Sequence, residues 1–369
     1  MIFTIIIAVI SLFGLIIIHE LGHFVMARRF GVKVEEFGLG LPPRLFGKKF
    51  GETIYSLNLL PFGAFVKILG EEKEIQDPRS FSQKPIWQRA LIVVAGVISF
   101  WVVAAILLSI VMGLGAPTAI SDAENGNLKN PKVQIISAAA GSPAQIAGLE
   151  PGDAILNIKS DPTGKNIQLP QTTSIKINKV KEVQEFTETH KGKEIVMTIE
   201  RGKEVFDISL VPRINPPSGE GAMGIALIRT AIKSYPWQEA PIRGIQATGN
   251  LTLAVIQGWG QVLGNLAQGR PTGAQLMGPV GIFSTIAKVS QLGVNYFLQF
   301  IAIIAVYLAL FNILPIPAVD GGRLFFLGLE AIRKKPIPQK IEQGVTGLFF
   351  SLLLVLLIFV TIKDIAKLF

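Results

Sequence analysis

From about Ile2 to Met26 the chain is almost continuously apolar, yet the last turns of this run carry His19, Glu20 and His23. The run exceeds the roughly 20 residues that a helix needs to cross a bilayer. Polar side chains at hydrocarbon depth must face a helix bundle or a water-filled cavity, so further apolar helices are required around them. On a helix, residues four apart share a face, so His19 and His23 can present their imidazoles to one metal ion with Glu20 beside it. This His-Glu-x-x-His spacing is that of a zinc hydrolase helix, two metal ligands and a general base. The competing reading, two histidines satisfied by neighbouring backbone, is costly after the apolar stretch Leu15 to Ile18.

The rest of the sequence supplies the helices. Half of its 369 residues are hydrophobic and only 17% are charged, well below the roughly 25% of ordinary soluble domains. Further spans are predicted from about Ala90 to Leu114, Tyr296 to Leu314 and Val345 to Val360. The net charge of +9 does not point to nucleic acid, because Arg28, Arg29, Lys33, Lys48, Lys49, Arg333, Lys334 and Lys335 cluster near the ends of apolar runs. That clustering follows the positive-inside rule and puts the loops 31 to 89 and 323 to 340 in the cytoplasm, with both termini outside it. No basic segment precedes the first run and no small-residue cleavage site follows it, so it is read as a retained span and not a secretory signal. With no cysteine in the chain, zinc ligands must be His, Asp or Glu.

Three segments lie between the spans. Residues 53 to 69 read as two β-rich runs around Pro61-Phe62-Gly63. So apolar a hairpin either dips into the membrane against the protein's own helices, leaving an edge free to pair with an extended substrate, or packs on a small cytoplasmic core. From residue 116 to 215 the composition is that of a soluble α/β or all-β domain. Strands are predicted at Val133 to Ser137 and Ala154 to Lys159, helices at Pro143 to Ala147 and Val180 to Thr189, and a hairpin at Glu194 to Glu200 and Glu204 to Val211 through Arg201-Gly202-Lys203. Residues 236 to 285, rich in Gly and Gln, suit an interfacial helical region better than a span.

Two histidines do not complete a catalytic zinc site, which takes three protein ligands and a water. His190, the only other histidine, falls in the soluble domain. Asp320 follows the third span at the depth of His19 and His23 and is the better third ligand; its competing role is N-cap of a helix beginning near Arg323. Before it, Asn312-Ile313-Leu314-Pro315-Ile316-Pro317 breaks the helix. Irregular backbone at membrane depth is tolerated where it lines a cavity. Asn312 can donate to a substrate carbonyl or oxyanion, and Gly321 and Gly322 allow close backbone approach.

With these residues in order, together with Gly141-Ser142-Pro143-Ala144 and Ala147-Gly148-Leu149-Glu150-Pro151-Gly152-Asp153, the chain resembles the site-2 protease family of intramembrane zinc metalloproteases (peptidase family M50), most of all its bacterial RseP/RasP-type branch. The resemblance covers nearly the whole length. It implies Zn2+ held by His19, His23 and Asp320, Glu20 as catalytic acid/base, substrate positioned by Asn312, Pro315 and Pro317, and engagement of an unwound substrate helix around Phe62 and Gly63. It also implies that residues 133 to 213 form one PDZ domain. Where relatives carry Ala-Gly-Pro-x-x-Asn in the second span, this chain has Val97 and Phe100 at the Pro and Asn positions, for which altered packing is expected and no loss of chemistry.

The expected architecture is therefore a mainly α membrane protein of four transmembrane helices, with a membrane-associated β-hairpin and one inserted extracytoplasmic PDZ-like α+β domain. Its parts are an N-terminal membrane part (1–115), the PDZ-like domain (116–215) and a C-terminal membrane part (216–369). The expected activity is cleavage of transmembrane segments of single-pass membrane proteins, such as anti-sigma factors or signal-peptide remnants, in a bacterial inner or plasma membrane. The PDZ-like domain either filters substrates by size or recruits them through an ectodomain or C-terminus. The rivals are a non-catalytic PDZ adaptor with a structural metal, which would require a fourth protein ligand, and a zinc transporter, for which the spans carry too few ionisable residues.

Overall fold

The computed structural model describes residues 2–71, 73–125, 128–160, 174–202, 204–217, 219–270, 272 and 277–366, the side chains of 2–5, 61 and 62 excepted. In chain order, helix α1 (Ile2–Arg29), strands β1 (Val34–Phe50) and β2 (Thr53–Ile68) and helix α2 (Ile86–Leu114) come first. Then follow β3 (Ala116–Ala119), β4 (Lys129–Ala138), α3 (Pro143–Ile146), β5 (Ala154–Ser160), β6 (Ser174–Lys176), α4 (Val180–Thr189), β7 (Ile195–Arg201), β8 (Glu204–Leu210) and β9 (Ile225–Lys233). Helices α5 (Ala240–Ala267), α6 (Pro279–Gln291), α7 (Val294–Ile313), α8 (Asp320–Arg333) and α9 (Gln339–Ala366) complete it. The chain divides into two compact units, one of residues 1–111 with 237–369 and one of residues 112–236.

In the first unit, α1, α2, α7 and α9 are the described helices long and apolar enough to cross a membrane, and the protein is a membrane protein. α1 runs until the basic pair Arg28-Arg29, where Gly31, at φ +66°, lets the backbone turn back so that the Val32 amide donates to the Ala27 carbonyl. α7 lies at the centre: Ile301, Ala302, Ala305, Val306, Ala309 and Leu310 are buried with Leu15 of α1, with Val97, Phe100 and Ala104 of α2, and with Val255 of α5. α5 docks on α2 where Gly244 meets Ser109, a contact with no room for a Cβ, and Trp101 Nε1 donates to Thr252 Oγ1 at 3.2 Å. α9 turns Leu352, Leu354, Val355, Ile358 and Phe359 outward, a surface suited to lipid and not to water. Its Asp364 reaches inward to accept the amides of Gly278 and Gly281, both at 2.8 Å, at the start of α6.

The sheet of this unit corrects the hairpin predicted within 53 to 69. The runs on either side of Pro61-Phe62-Gly63 do not pair with each other. Residues 36–39 of β1 lie between them, opposite 64–67 on one side and beside 54–57 on the other, and 54–57 also pair with 46–49. The intervening segment reads as a polar loop because of Glu35, Glu36, Arg44, Lys48 and Lys49. Within the sheet Glu36 pairs with Arg44, Glu35 with Lys67, and Asn58 Nδ2 of β2 donates to the Leu39 and Gly40 carbonyls, while Lys48 and Lys49 are exposed. Val32, Val34 and Ile68 pack with Ala27 of α1, Ile92 and Val93 of α2 and Leu327 of α8, which fixes the sheet against the helices.

The second unit is a sheet in the order β3-β9-β4-β5-β7-β8, with β6 pairing β5. Val133, Ile135, Ile155, Ile158, Ile195, Met197 and Ile199 of the sheet bury against Val183 and Phe186 of α4. Ser142 caps α3 by accepting from the Gln145 amide at 3.2 Å, ahead of Pro143. The unit extends past residue 215, because β9 is inserted between β3 and β4. Residues 216 to 236, assigned from sequence to the membrane part, thus belong here; nothing in local sequence tells that Ile225–Lys233 pairs with strands about a hundred residues earlier. Of the turn Arg201-Gly202-Lys203, Lys203 lies outside the described residues. The helical region predicted at 236 to 285 is two helices, α5 and α6, and the second continues to Gln291.

Candidate active site

The side chains of His19 and His23, one turn apart on α1, meet Asp320 at the start of α8. His19 Nε2 lies 3.2 Å from His23 Nε2 and 3.2 Å from Asp320 Oδ2, and His23 Nε2 lies 3.4 Å from the same oxygen. One ligand atom from each of the three falls within 4.8 Å of the others. Asp320 Oδ2 is buried without a hydrogen-bond partner. Three donor atoms converging in a buried site, one of them an orphaned carboxylate oxygen, fit a small cation better than they fit each other.

Glycines make the convergence possible. A Cβ at Gly22 of α1 would sit 2.5 Å from the Ala95 carbonyl oxygen, and one at Gly96 of α2 would overlap the His23 ring, 2.2 Å from Nε2. α1 and α2 therefore approach with backbone nearly on backbone. The Ile92 carbonyl of α2 accepts His23 Nδ1–H at 2.9 Å, which leaves Nε2 for a metal. After α7 the chain curls over the start of α8: a Cβ at Gly321 would lie 2.0 Å from the Leu314 oxygen, and one at Gly322 would lie 2.3 Å from that of Ile316. Asp320 is the first residue of α8, with Val319 at the N-cap position, so its carboxylate is free to point at the histidines.

A cavity of about 820 Å³ opens on this group. Its lining includes Glu20, His19, His23 and Asp320 together with Phe65, Val66, Lys67 and Ile68. The latter belong to the outer segment of the sheet. The ion pair of Arg323 with Glu71 closes one flank, with the Arg323 guanidinium 4.9 Å above the Phe81 ring.

The remaining predicted residues stand apart from this cavity. Asn312 and Pro317 line a separate cavity of about 320 Å³, which shares Asp320 and Arg323 with the first. The Asn312 amide is turned onto its own helix, donating to Leu308 O at 2.9 Å. Pro315 is exposed. Gly63 adopts φ +81°, a turn conformation that favours glycine, and the side chain of Phe62 lies outside the described residues. His190 is stacked on Phe186 within the second unit, its Nδ1 2.8 Å from the Phe186 carbonyl. Sequence reasoning missed Ile92, Gly96 and Phe100 as neighbours of the site; their fourfold spacing on α2, matching that of His19 and His23, is the signal that could have found them.

A donor set of this kind, enclosed by apolar helices and facing a cavity, fits the class of membrane metalloproteases. Comparison with known proteins makes the class specific. The chain belongs to peptidase family M50, matched over residues 7–356. It is 36% identical to a Clostridium perfringens protein named, by inference, as a zinc metalloprotease, over 98% of both chains. It is also 33% identical to a similarly named protein of Clostridium acetobutylicum, over 98% of this chain and 97% of that one. With the zinc metalloprotease RasP of Oceanobacillus iheyensis the identity is 26%, over 99% of this chain and the full length of the relative. The protein is a zinc-dependent metalloprotease.

Proposed function

We propose that this protease cuts peptide bonds inside the transmembrane segments of single-pass membrane proteins, in regulated intramembrane proteolysis of substrates such as anti-sigma factors or signal-peptide remnants. In this reading His19, His23 and Asp320 hold the zinc. When bound, the metal supplies a Lewis acid that acidifies water and polarises the scissile carbonyl. Glu20 takes the proton from the attacking water and passes it to the leaving amine. Asn312 donates to the developing oxyanion after releasing Leu308 O. Pro315 and Pro317 keep the neighbouring backbone irregular, and the Phe62-Gly63 turn guides the entering chain.

The observation that carries the reading is the 820 Å³ cavity, which is lined both by Glu20 with His19, His23 and Asp320 and by the outer segment 65–68 of the sheet. A helix buries its carbonyls in its own hydrogen bonds, so a substrate helix must unwind before attack. Pairing with an exposed strand edge replaces the hydrogen bonds it loses. The second unit is read as one PDZ-like domain on the extracytoplasmic side, acting as a size filter, with the active site near the cytoplasmic face of a bacterial membrane.

The test is cleavage of a single-span substrate in liposomes, with the cut mapped by mass spectrometry. A cut inside the span, accelerated when helix-breaking residues are placed there, is expected; cutting confined to soluble segments overturns the proposal. For the filter, excision must remove residues 116–233 together, because removing 118–213 alone strands β9 without β4. A filter predicts premature cleavage of full-length substrates, a recruiting domain its loss.

A further inference from the structure

We infer that Phe100 is a positioning residue for the metal ligand His19, fixing the imidazole by stacking where the other histidine is fixed by a hydrogen bond. The inference rests on the assignment of His19 as a zinc ligand. The two imidazoles are held differently. His23 has its Nδ1 anchored on the Ile92 carbonyl. His19 Nδ1 is buried and without a hydrogen-bond partner, although a ligating histidine normally uses its second nitrogen to hold its orientation. What covers the His19 ring is Phe100: the ring centroids are 4.7 Å apart and the planes are inclined by 17°.

Phe100 is held firmly enough to serve as such a platform. It is 2% exposed and packed in the cluster of Leu15, Val97 and Ala104. Ile92, Gly96 and Phe100 recur every four residues and so share one face of α2, as His19 and His23 share one face of α1. The carbonyl at 92 anchors His23, the absent side chain at 96 makes room for it, and the ring at 100 seats His19. An aromatic platform restrains ring tilt but leaves in-plane rotation free. The remaining restraint on in-plane rotation would then be the metal bond and Asp320, so the stack and the ion together define the ligand geometry.

The experiment is competition of the purified full-length chain against a chromogenic zinc chelator, in detergent, with wild type, Phe100→Leu, Phe100→Met, Phe100→Tyr and Leu108→Ala. Leu108 is buried on the same helix two turns further on, so its truncation reports lost packing alone. Phe100→Leu and Phe100→Met are expected to weaken zinc binding about 10- to 100-fold, the range for loss of a ligand-orienting partner. Phe100→Tyr, which keeps the ring, should stay within about threefold of wild type, and Leu108→Ala likewise. Equal zinc affinity in wild type, Phe100→Leu and Phe100→Met overturns the inference, as does an equal fall in Leu108→Ala. A wild-type chain that binds no zinc overturns the metal assignment itself, a result distinct from either.

Discussion

The two units differ in how completely their buried polar groups are satisfied. In the unit of residues 112–236, each such group among the described residues is provided for: Ser142 caps a helix, Asp153 takes Arg201 at 2.6 and 2.7 Å, and Thr187 donates to Val183 O. There too, the buried Arg229 donates to the carbonyls of Asn178, Ser121 and Glu124. In the unit of the helices, His19 Nδ1, Arg89 Nε and Asp320 Oδ2 are buried without hydrogen-bond partners among the described residues. An unsatisfied buried polar atom costs about 1–3 kcal/mol. Two of the three lie on proposed ligands of one metal site. The satisfied groups hold the fold; the unsatisfied atoms of His19 and Asp320 lie where the metal is proposed to bind.

The contrast is broken most severely at Glu20, the proposed proton carrier. Glu20→Gln should reduce cleavage by about 10²- to 10⁴-fold, while zinc content measured by atomic absorption stays at the wild-type level. Loss of zinc together with activity would move Glu20 from proton carrier to ligand. Next in size is Gly96→Ala, whose methyl overlaps the His23 ring. It should weaken zinc binding by at least ~10-fold in a chelator titration, with the second unit's thermal unfolding unchanged.

Asp153→Ala sharpens the comparison from the other side. Asp153 is fully buried and holds the partly exposed Arg201, whose pKa its hydrogen bond raises. Its loss should destabilise the second unit by about 2 kcal/mol, read by hydrogen exchange of β5 and β7, with zinc affinity untouched. The smallest effect is at Asp207. The bonds from Lys159 and Thr198 hold its carboxyl below the usual range. A depressed folded pKa adds stability above the unfolded value near 3.9 and loses it as pH falls through the folded one. The pair is solvent-exposed and screened, so Asp207→Asn should cost no more than about 0.5 kcal/mol at neutral pH and nothing in strong acid, by exchange of β7 and β8.

What the sequence makes legible follows the range of the interaction. His19 and His23 are one turn apart, and the four spans are long, mostly apolar runs, so both could be read from neighbours along the chain. Asp320 could be chosen because few ionisable residues stand at that depth. β1 was hidden because Glu36 and Arg44 look like a loop until each finds the other. β9 was hidden because its partners lie across most of the second unit. The seat formed by Ile92, Gly96 and Phe100 has a legible spacing, four residues apart on α2, but it becomes a seat only where that face meets α1.

The central claim is that a buried, partner-poor donor set holds zinc for hydrolysis within a bilayer. Zinc stoichiometry and transmembrane-segment cleavage measured together in liposomes, for wild type, Glu20→Gln and Asp320→Ala, test it most directly. The account predicts one zinc per chain and cleavage in wild type, one zinc without cleavage in Glu20→Gln, and weakened zinc without cleavage in Asp320→Ala. Full cleavage by Asp320→Ala or Glu20→Gln, or cleavage by a wild-type chain stripped of zinc, would contradict it.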